Sequence, residues 1–313
     1  MKALYNFTKG FKHTGMTARM VLLLFAINLA FALVLAVPMY HSLKGSFGNS
    51  LVGDRMAEGF DALWWEEFND QSEGLEKTFT PFIIGKGAVL NNLEGLVQMK
   101  FFDLPPAVLI LGLLYIILHT FLAGGILTTL KPDSPRFNMK TFFKGAGTWF
   151  GGFLGLMLIS WVFLIVAVGL LHQWFGSLVA KMARSSISEV GPFWLALALD
   201  AVVLFLLFFF QMIFDYARIN MVLTEDRDVI KSVLRGFGMV FKHPGSTLGI
   251  YYFIFMVNIT VTLVYILIRG LIPDTAVWGV LIAFMAQQLF IFAVVWIRCW
   301  LYAGQIEVYR FWN

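Results

Sequence analysis

Residues Phe193–Phe214 read FWLALALDAVVLFLLFFFQMIF, an apolar run with one charged side chain, Asp200, inside it. About 20 apolar residues rising 1.5 Å each cross a hydrocarbon core of roughly 30 Å. Five other stretches have the same character, which places spans at about 18–40, 106–130, 147–171, 193–216, 247–271 and 277–303. The chain therefore reads as all-α: a polytopic transmembrane helical bundle of six spans, forming one membrane domain over 1–313. Composition points the same way. Hydrophobic residues make up 59% and charged residues 13% of the chain, against roughly 25% charged in a soluble domain. The 33 Phe and 10 Trp suit lipid-facing surfaces and interfacial belts.

The basic residues orient these spans. Lys2, Lys9, Lys12 and Arg19 precede the first; Lys131, Arg136, Lys140 and Lys144 follow the second; Arg218, Arg227, Lys231, Arg235 and Lys242 follow the fourth. The short third connection holds only Lys181 and Arg184 and the fifth is a tight turn around Pro273 and Asp274, so the positive-inside rule puts both termini in the cytoplasm. The first apolar run, Met20 to about Pro38, is longer than the about 7–15 residues of a cleaved signal, and reads as an uncleaved span. The expected location is a membrane, with the lipid bilayer as first partner. No basic tract resembles a nucleic-acid arm. The single cysteine, Cys299, excludes an internal disulfide or a Cys-based cluster within one chain, and no cofactor is expected.

The connection at 41–105, expected as an extracytoplasmic helical insertion between spans one and two, is the largest part outside the spans and carries ten acidic residues, Asp54 to Asp103. Val52, Met56, Phe60, Leu63, Trp64 and Phe68 recur at helical spacing, so a helix over 52–70 is expected. It either caps the rest of the protein or presents Phe60, Trp64, Trp65 and Phe68 to a partner. A second apolar piece, Phe82 to Val97, is too short to span and is broken by Gly85 and Gly87; re-entrant and interfacial readings both remain open.

Three segments form a weak repeat ahead of spans one, three and five: Phe7-Thr8-Lys9-Gly10-Phe11, Phe142-Phe143-Lys144-Gly145 and Val233-Leu234-Arg235-Gly236-Phe237. Each sets a basic residue before a glycine. This suggests three helical hairpins, each entered by an interfacial helix. The third such helix, within 219–245, has Thr224 as expected N-cap and Glu225 and Asp226 in its first turn. Its apolar stripe is Val229, Ile230, Val233, Leu234, Phe237 and Phe241, with basic Lys231, Arg235 and Lys242 on the opposite side. That pattern suits a helix on an anionic leaflet.

Asp215-Tyr216-Ala217-Arg218, Glu225-Asp226-Arg227, Arg235-Gly236-Phe237 and His243-Pro244-Gly245, with Gly124-Gly125 in span two, resemble a pattern in a broad group of uncharacterised bacterial six-helix integral membrane proteins. That group is distantly similar to the membrane domain attached to some glycerophosphodiester phosphodiesterases. The resemblance implies a helical bundle in an inner membrane and no activity. No soluble stretch is long enough for the phosphodiesterase domain.

Ionisable groups inside spans cost roughly 2.5–3.5 kcal/mol and invite a functional reading. Asp200 and His119 are the candidates, either as structural groups or as the lining of a path. Asp215 and Arg218 stand three apart on one helix, and Arg298 is placed to join them. Gly147, Gly151 and Gly155 repeat every four residues, a groove for helix packing within the chain or with a second subunit. No HExxH, GxSxG, P-loop or dinucleotide-binding glycine motif occurs, and the five histidines lack metal-ligand spacing. The sequence therefore points to a non-enzymatic accessory or assembly subunit of a membrane complex, contacting partners through the 52–70 helix or span three. A transporter or lipid-handling protein with a path near Asp200 and His119 stands second.

Overall fold

A computed structural model describes residues 2–48, 51, 52, 55, 61–74, 76–78, 106–132, 137–185, 188, 190–273 and 277–312. Among these the chain is all-helical. The helices are α1 (Lys2–Met16), α2 (Ala18–Phe47), α3 (Ala62–Gln71), α4 (Pro106–Thr129), α5 (Met139–Ser185), α6 (Val190–Thr224), α7 (Val229–Lys242), α8 (Pro244–Leu271) and α9 (Val277–Trp312), with a 3₁₀ turn at Glu76–Thr78. Six of them, α2, α4, α5, α6, α8 and α9, are long and apolar enough to cross a membrane. The segment at 82–105 lies outside the described residues, as does Phe60.

The chain divides into two units. The first comprises Met1–Met16, His119–Tyr252 and Leu301–Asn313; the second comprises Thr17–Leu118 and Phe253–Trp300. In the second, aromatic side chains make several specific contacts. Phe25 meets Phe292 edge to face with centroids 5.8 Å apart, and Tyr265 stacks on Phe290 at 4.4 Å. Tyr115 packs on Phe31, and its hydroxyl donates to Asn28 Oδ1 at 3.0 Å. Leu33, Val34, Ile110, Leu267 and Leu289 stay exposed, as side chains solvated by lipid do.

Helix α3 corrects the expected docking face. It begins at Asp61, whose carboxylate accepts from the Trp64 backbone N–H at 3.1 Å, so a helix starts at 62 rather than running unbroken over 52–70. Trp64 and Phe68 are buried with Val52 against Leu43 and Phe47 of α2, and Trp65 packs partly beside them. The Trp64 indole donates to Ser46 Oγ at 3.0 Å. Aromatic area already covered by α2 is not available to a partner.

The first unit holds the dense core. Phe142, Phe153 and Leu156 of α5 and Met212, Ile213, Phe214 and Tyr216 of α6 are completely buried. Helix α5 is 47 residues long, about 70 Å at 1.5 Å per residue. It therefore continues well past the end expected near 171. No proline interrupts it before the next helix begins.

Close packing depends on glycines. A methyl group on Gly124 would stand 3.1 Å from Ala146 Cα, and one on Gly125 would stand 2.8 Å from the Phe142 ring, so these two glycines let α4 cross the start of α5. The expected groove on α5 is displaced. Gly147 and Gly151 face open space among the described residues, whereas Gly152 lies against Met221 Sδ and Gly155 against Val229. The face that meets α6 carries Gly152, one step round the helix from Gly151.

The three repeat glycines share one structural role. Gly10 abuts the backbone of Ala303 and Gly304 in α9; Gly145 abuts Thr128 of α4; Gly236 abuts the Ile213 carbonyl and Ala217 of α6. In each case the glycine lets a segment approach the end of a long apolar helix. For the second and third copies that helix is the one preceding it in the chain. For the first copy it is the last helix, so α1 stands where a helix following α9 would.

Candidate functional site

In the first unit an open cleft of about 1030 Å³ is lined by four separate pieces of chain. Lys131 and Pro132 follow α4. Asn220, Leu223 and Thr224 form the last turn of α6. Leu234, Arg235, Met239 and Lys242 come from α7, with His243 after it. Tyr309, Arg310 and Trp312 come from the last turn of α9.

Local sequence explains each wall. Helix α6 ends at Thr224, whose hydroxyl donates back to the Asn220 carbonyl at 2.9 Å. Glu225 then adopts φ 56°, the left-handed conformation that commonly terminates helices. Thr224 is thus the end of α6 and not the cap of α7. The cap is Asp228, whose side chain accepts from the Lys231 backbone N–H at 3.0 Å. That hydrogen bond holds the Asp228 carboxyl below its ordinary value.

Two ion pairs fix the connector. Lys131 Nζ lies 2.6 Å from Glu225 Oε1, and Arg235 lies 3.4 Å from Asp226 Oδ2. The Lys131 hydrogen bond and charge keep the Glu225 carboxyl below its usual range. Arg227 sits over the Trp149 ring, 5.8 Å from its centre. On the opposite wall His243 stacks on Trp312, with centroids 4.0 Å apart and planes at 14°.

Helix α7 has three faces rather than the two its sequence suggests. Ser232, Val233, Gly236, Met239 and Val240 are buried; Lys231, Arg235 and Lys242 are exposed; Ile230, Leu234 and Phe241 are exposed and apolar. The expected single stripe splits, with Val233 turned inward and Ile230, Leu234 and Phe241 left on the surface.

The charge balance of the lining is uneven. Lys131, Arg235, Lys242 and Arg310 face one carboxylate, Asp226. Lys242 has no acidic partner among the described residues. Arg310 is 3.9 Å from Glu307, which Lys9 of α1 already holds at 2.5 Å. Asn220 adds a polar contact: its Nδ2 donates to the Tyr309 hydroxyl at 2.5 Å, while its buried Oδ1 has no hydrogen-bond partner. A site with surplus cations and an aromatic wall can bind an anion that also carries an apolar part.

Next to Asn220 on α6 is the buried ion pair expected from the sequence. Arg218 Nη1 lies 3.0 Å from Asp215 Oδ1, and Asp215 also accepts from Gln211 Nε2 at 3.1 Å and from the Tyr302 hydroxyl at 3.4 Å. Arg298 falls in the second unit, whereas the Asp215–Arg218 half of the expected cluster lies in the first. Asp200 and His119 are both half-buried, and neither lines the cleft. Among the described residues no group of His, Cys, Asp and Glu is arranged to hold a metal ion.

Sequence reasoning singled out Arg235 and Lys242 on α7 but not Lys131, Asn220, Tyr309 or Arg310. Their separation in sequence hides them. Much of the motif pattern nevertheless converges here: Glu225-Asp226-Arg227 supplies the connector, Arg235-Gly236 the α7 wall, and His243 the aromatic pair. No family model, curated protein or solved structure matches the chain.

Proposed function

We propose that this is a multi-pass membrane protein that works by binding rather than catalysis, and that its cleft takes a phosphate-bearing anion at the membrane–water boundary. The reading places the protein in a bacterial inner membrane with both termini, and hence the cleft, on the cytoplasmic side. The observation that carries it is the uneven lining, four cations against one carboxylate. Of the two classes the sequence allows, lipid handling is thereby favoured, through the cleft rather than a path at Asp200 and His119.

The test is thermal unfolding of the purified full-length protein in a neutral detergent, titrated with inorganic phosphate at constant ionic strength against chloride. Ligand that binds only the folded state raises its stability by RT ln(1 + [L]/Kd), about 2.7 kcal/mol at a hundredfold excess over Kd. Phosphate should raise Tm above the chloride control, and Lys242→Gln should remove most of the rise. Equal curves in phosphate and chloride would sink the reading.

A second reading, an accessory subunit of a membrane complex, draws on one feature. Gly147 and Gly151 lie on α5 with nothing of this chain against them among the described residues, which leaves room for a helix from another subunit. Gly151→Leu would then shrink the assembly extracted from native membranes in mild detergent. An unchanged assembly size counts against it.

A further inference from the structure

Resting on the anion-binding reading, we infer that the ligand of the cleft is a phospholipid whose headgroup ends in a phosphomonoester, held with its acyl chains along the exposed apolar face of α7.

Two observations carry this. The first is the size of the charge surplus. Lys131 and Arg235 are each matched by an acid of the connector, Glu225 and Asp226. Lys242 has none, and Arg310 shares a distant Glu307 with Lys9. The cleft is therefore short of roughly two negative charges. A phosphomonoester carries about −1.5 to −2 at pH 7, because its second pKa is near 6. A phosphodiester carries one charge and would leave a cation of the cleft uncompensated.

The second observation is the continuity of polar and apolar surface. Leu234 lines the cleft and is 65% exposed, and Ile230 and Phe241 share its face of α7 with similar exposure. A soluble phosphate ester would have no use for this stripe. A lipid anchored by its headgroup covers it, and each buried methylene contributes about 0.8 kcal/mol. The same helix thus offers charge on one side and acyl-chain contact on the next, as an interfacial lipid site requires.

The experiment is native mass spectrometry and thermal unfolding of the full-length protein with four probes: inorganic phosphate, glycerol 3-phosphate, micellar dioleoylphosphatidic acid, and dioleoylphosphatidylglycerol. Expected is a Kd for dioleoylphosphatidic acid at least tenfold below that for glycerol 3-phosphate and for dioleoylphosphatidylglycerol. Lys242→Gln and Arg310→Gln should each weaken phosphatidic acid tenfold or more. Ile230→Ser with Phe241→Ser should bring the lipid down to the level of glycerol 3-phosphate and leave phosphate binding unchanged. Both altered residues are exposed, so the fold survives the change. If glycerol 3-phosphate binds as well as the lipid, the inference falls and the anion-binding reading stands. The inference falls in the same way if the diester lipid binds as tightly as the monoester. If no probe binds, both fall.

Discussion

From Met212 to Val222 every residue of α6 is buried, including Asp215, Arg218 and Asn220; in the 30 residues of α2 only Met20, Val21 and Leu24 are buried. Both helices are long and apolar enough to span a membrane, yet their side chains have different solvents. The end of α6 is enclosed by protein, so its polar groups must find partners there. Leu22, Leu29, Leu33, Val34 and Val37 of α2 are exposed apolar side chains, and lipid solvates them without demanding a specific fit. Substitutions should therefore be costly in the first region and nearly silent in the second.

The largest expected effect is at the buried ion pair. Removing one partner of such a pair costs about 3–5 kcal/mol, because the other charge is left buried and uncompensated. Arg218→Leu strands the Asp215 carboxylate, which is completely buried, and should lower Tm by on the order of 10 °C. Asp215→Asn with Arg218→Leu should recover part of the loss. Leu33→Ala, at an exposed position of α2, should change stability by less than about 0.5 kcal/mol. Comparable losses at Arg218 and Leu33 would break the contrast.

Glycines sharpen the same comparison within one helix. A methyl group at Gly236 would stand 2.7 Å from the Ile213 carbonyl oxygen, whereas Gly238 has open space around it. Gly236→Ala should cost about 1–3 kcal/mol by overpacking. Gly238→Ala should be neutral or gain up to about 1 kcal/mol from helix propensity. Chemical unfolding of the two variants side by side measures the difference. A harmless Gly236→Ala would mean that α7 does not rest on α6 through this glycine.

The spans were legible because lipid selects on hydropathy alone, a property each segment carries without reference to the others. Expected and observed limits of the fifth span agree closely, 247–271 against Pro244–Leu271, and the sixth starts at 277 as expected but runs past 303 to Trp312. Tertiary choices were not legible. A four-residue glycine spacing marks a face of α5 that exists, but only the position of α6 decides that Gly152 is covered and Gly151 is not. Thr224 is a good cap residue, yet Glu225 turns left-handed and Asp228 takes the role. The Asp215–Arg218 pair was readable because both partners sit on one helix turn. The cleft was not, since Lys131, Asn220, Lys242 and Arg310 come from four segments that only folding brings together.

The second unit has its own small enclosed core, and it sets the scale of the next effect. Trp64→Phe keeps a ring against Phe47 and Phe68 but removes the indole hydrogen bond to Ser46. A neutral hydrogen bond of this kind contributes about 1 kcal/mol. Hydrogen exchange of the 62–71 backbone should accelerate about fivefold, while amides around Met212–Val222 keep their protection. Acceleration in both places would show that α3 is coupled to the first unit and not merely seated on α2.

The smallest effect tests how α1 completes the first unit. Gly10 lets α1 approach Gly304, and Lys9 pairs with Glu307. His13 lies on the same helix. Burial lowers its pKa, the Lys9 and Arg310 charges lower it further, and Glu307 partly opposes them. A released α1 therefore takes up a proton more readily than a docked one. It follows that the His13 contribution to docking is fully present above the ordinary imidazole value of about 6.5 and is lost as pH falls through it toward the docked value. Limited proteolysis within residues 2–16 should be slow at pH 7.5 and faster at pH 5.5 after correction for protease activity, and His13→Gln should flatten the difference. Equal or slower cleavage at pH 5.5 would mean that Glu307, not burial, governs the histidine. The N-terminal helix would then be held by its ion pair rather than by its packing on α9.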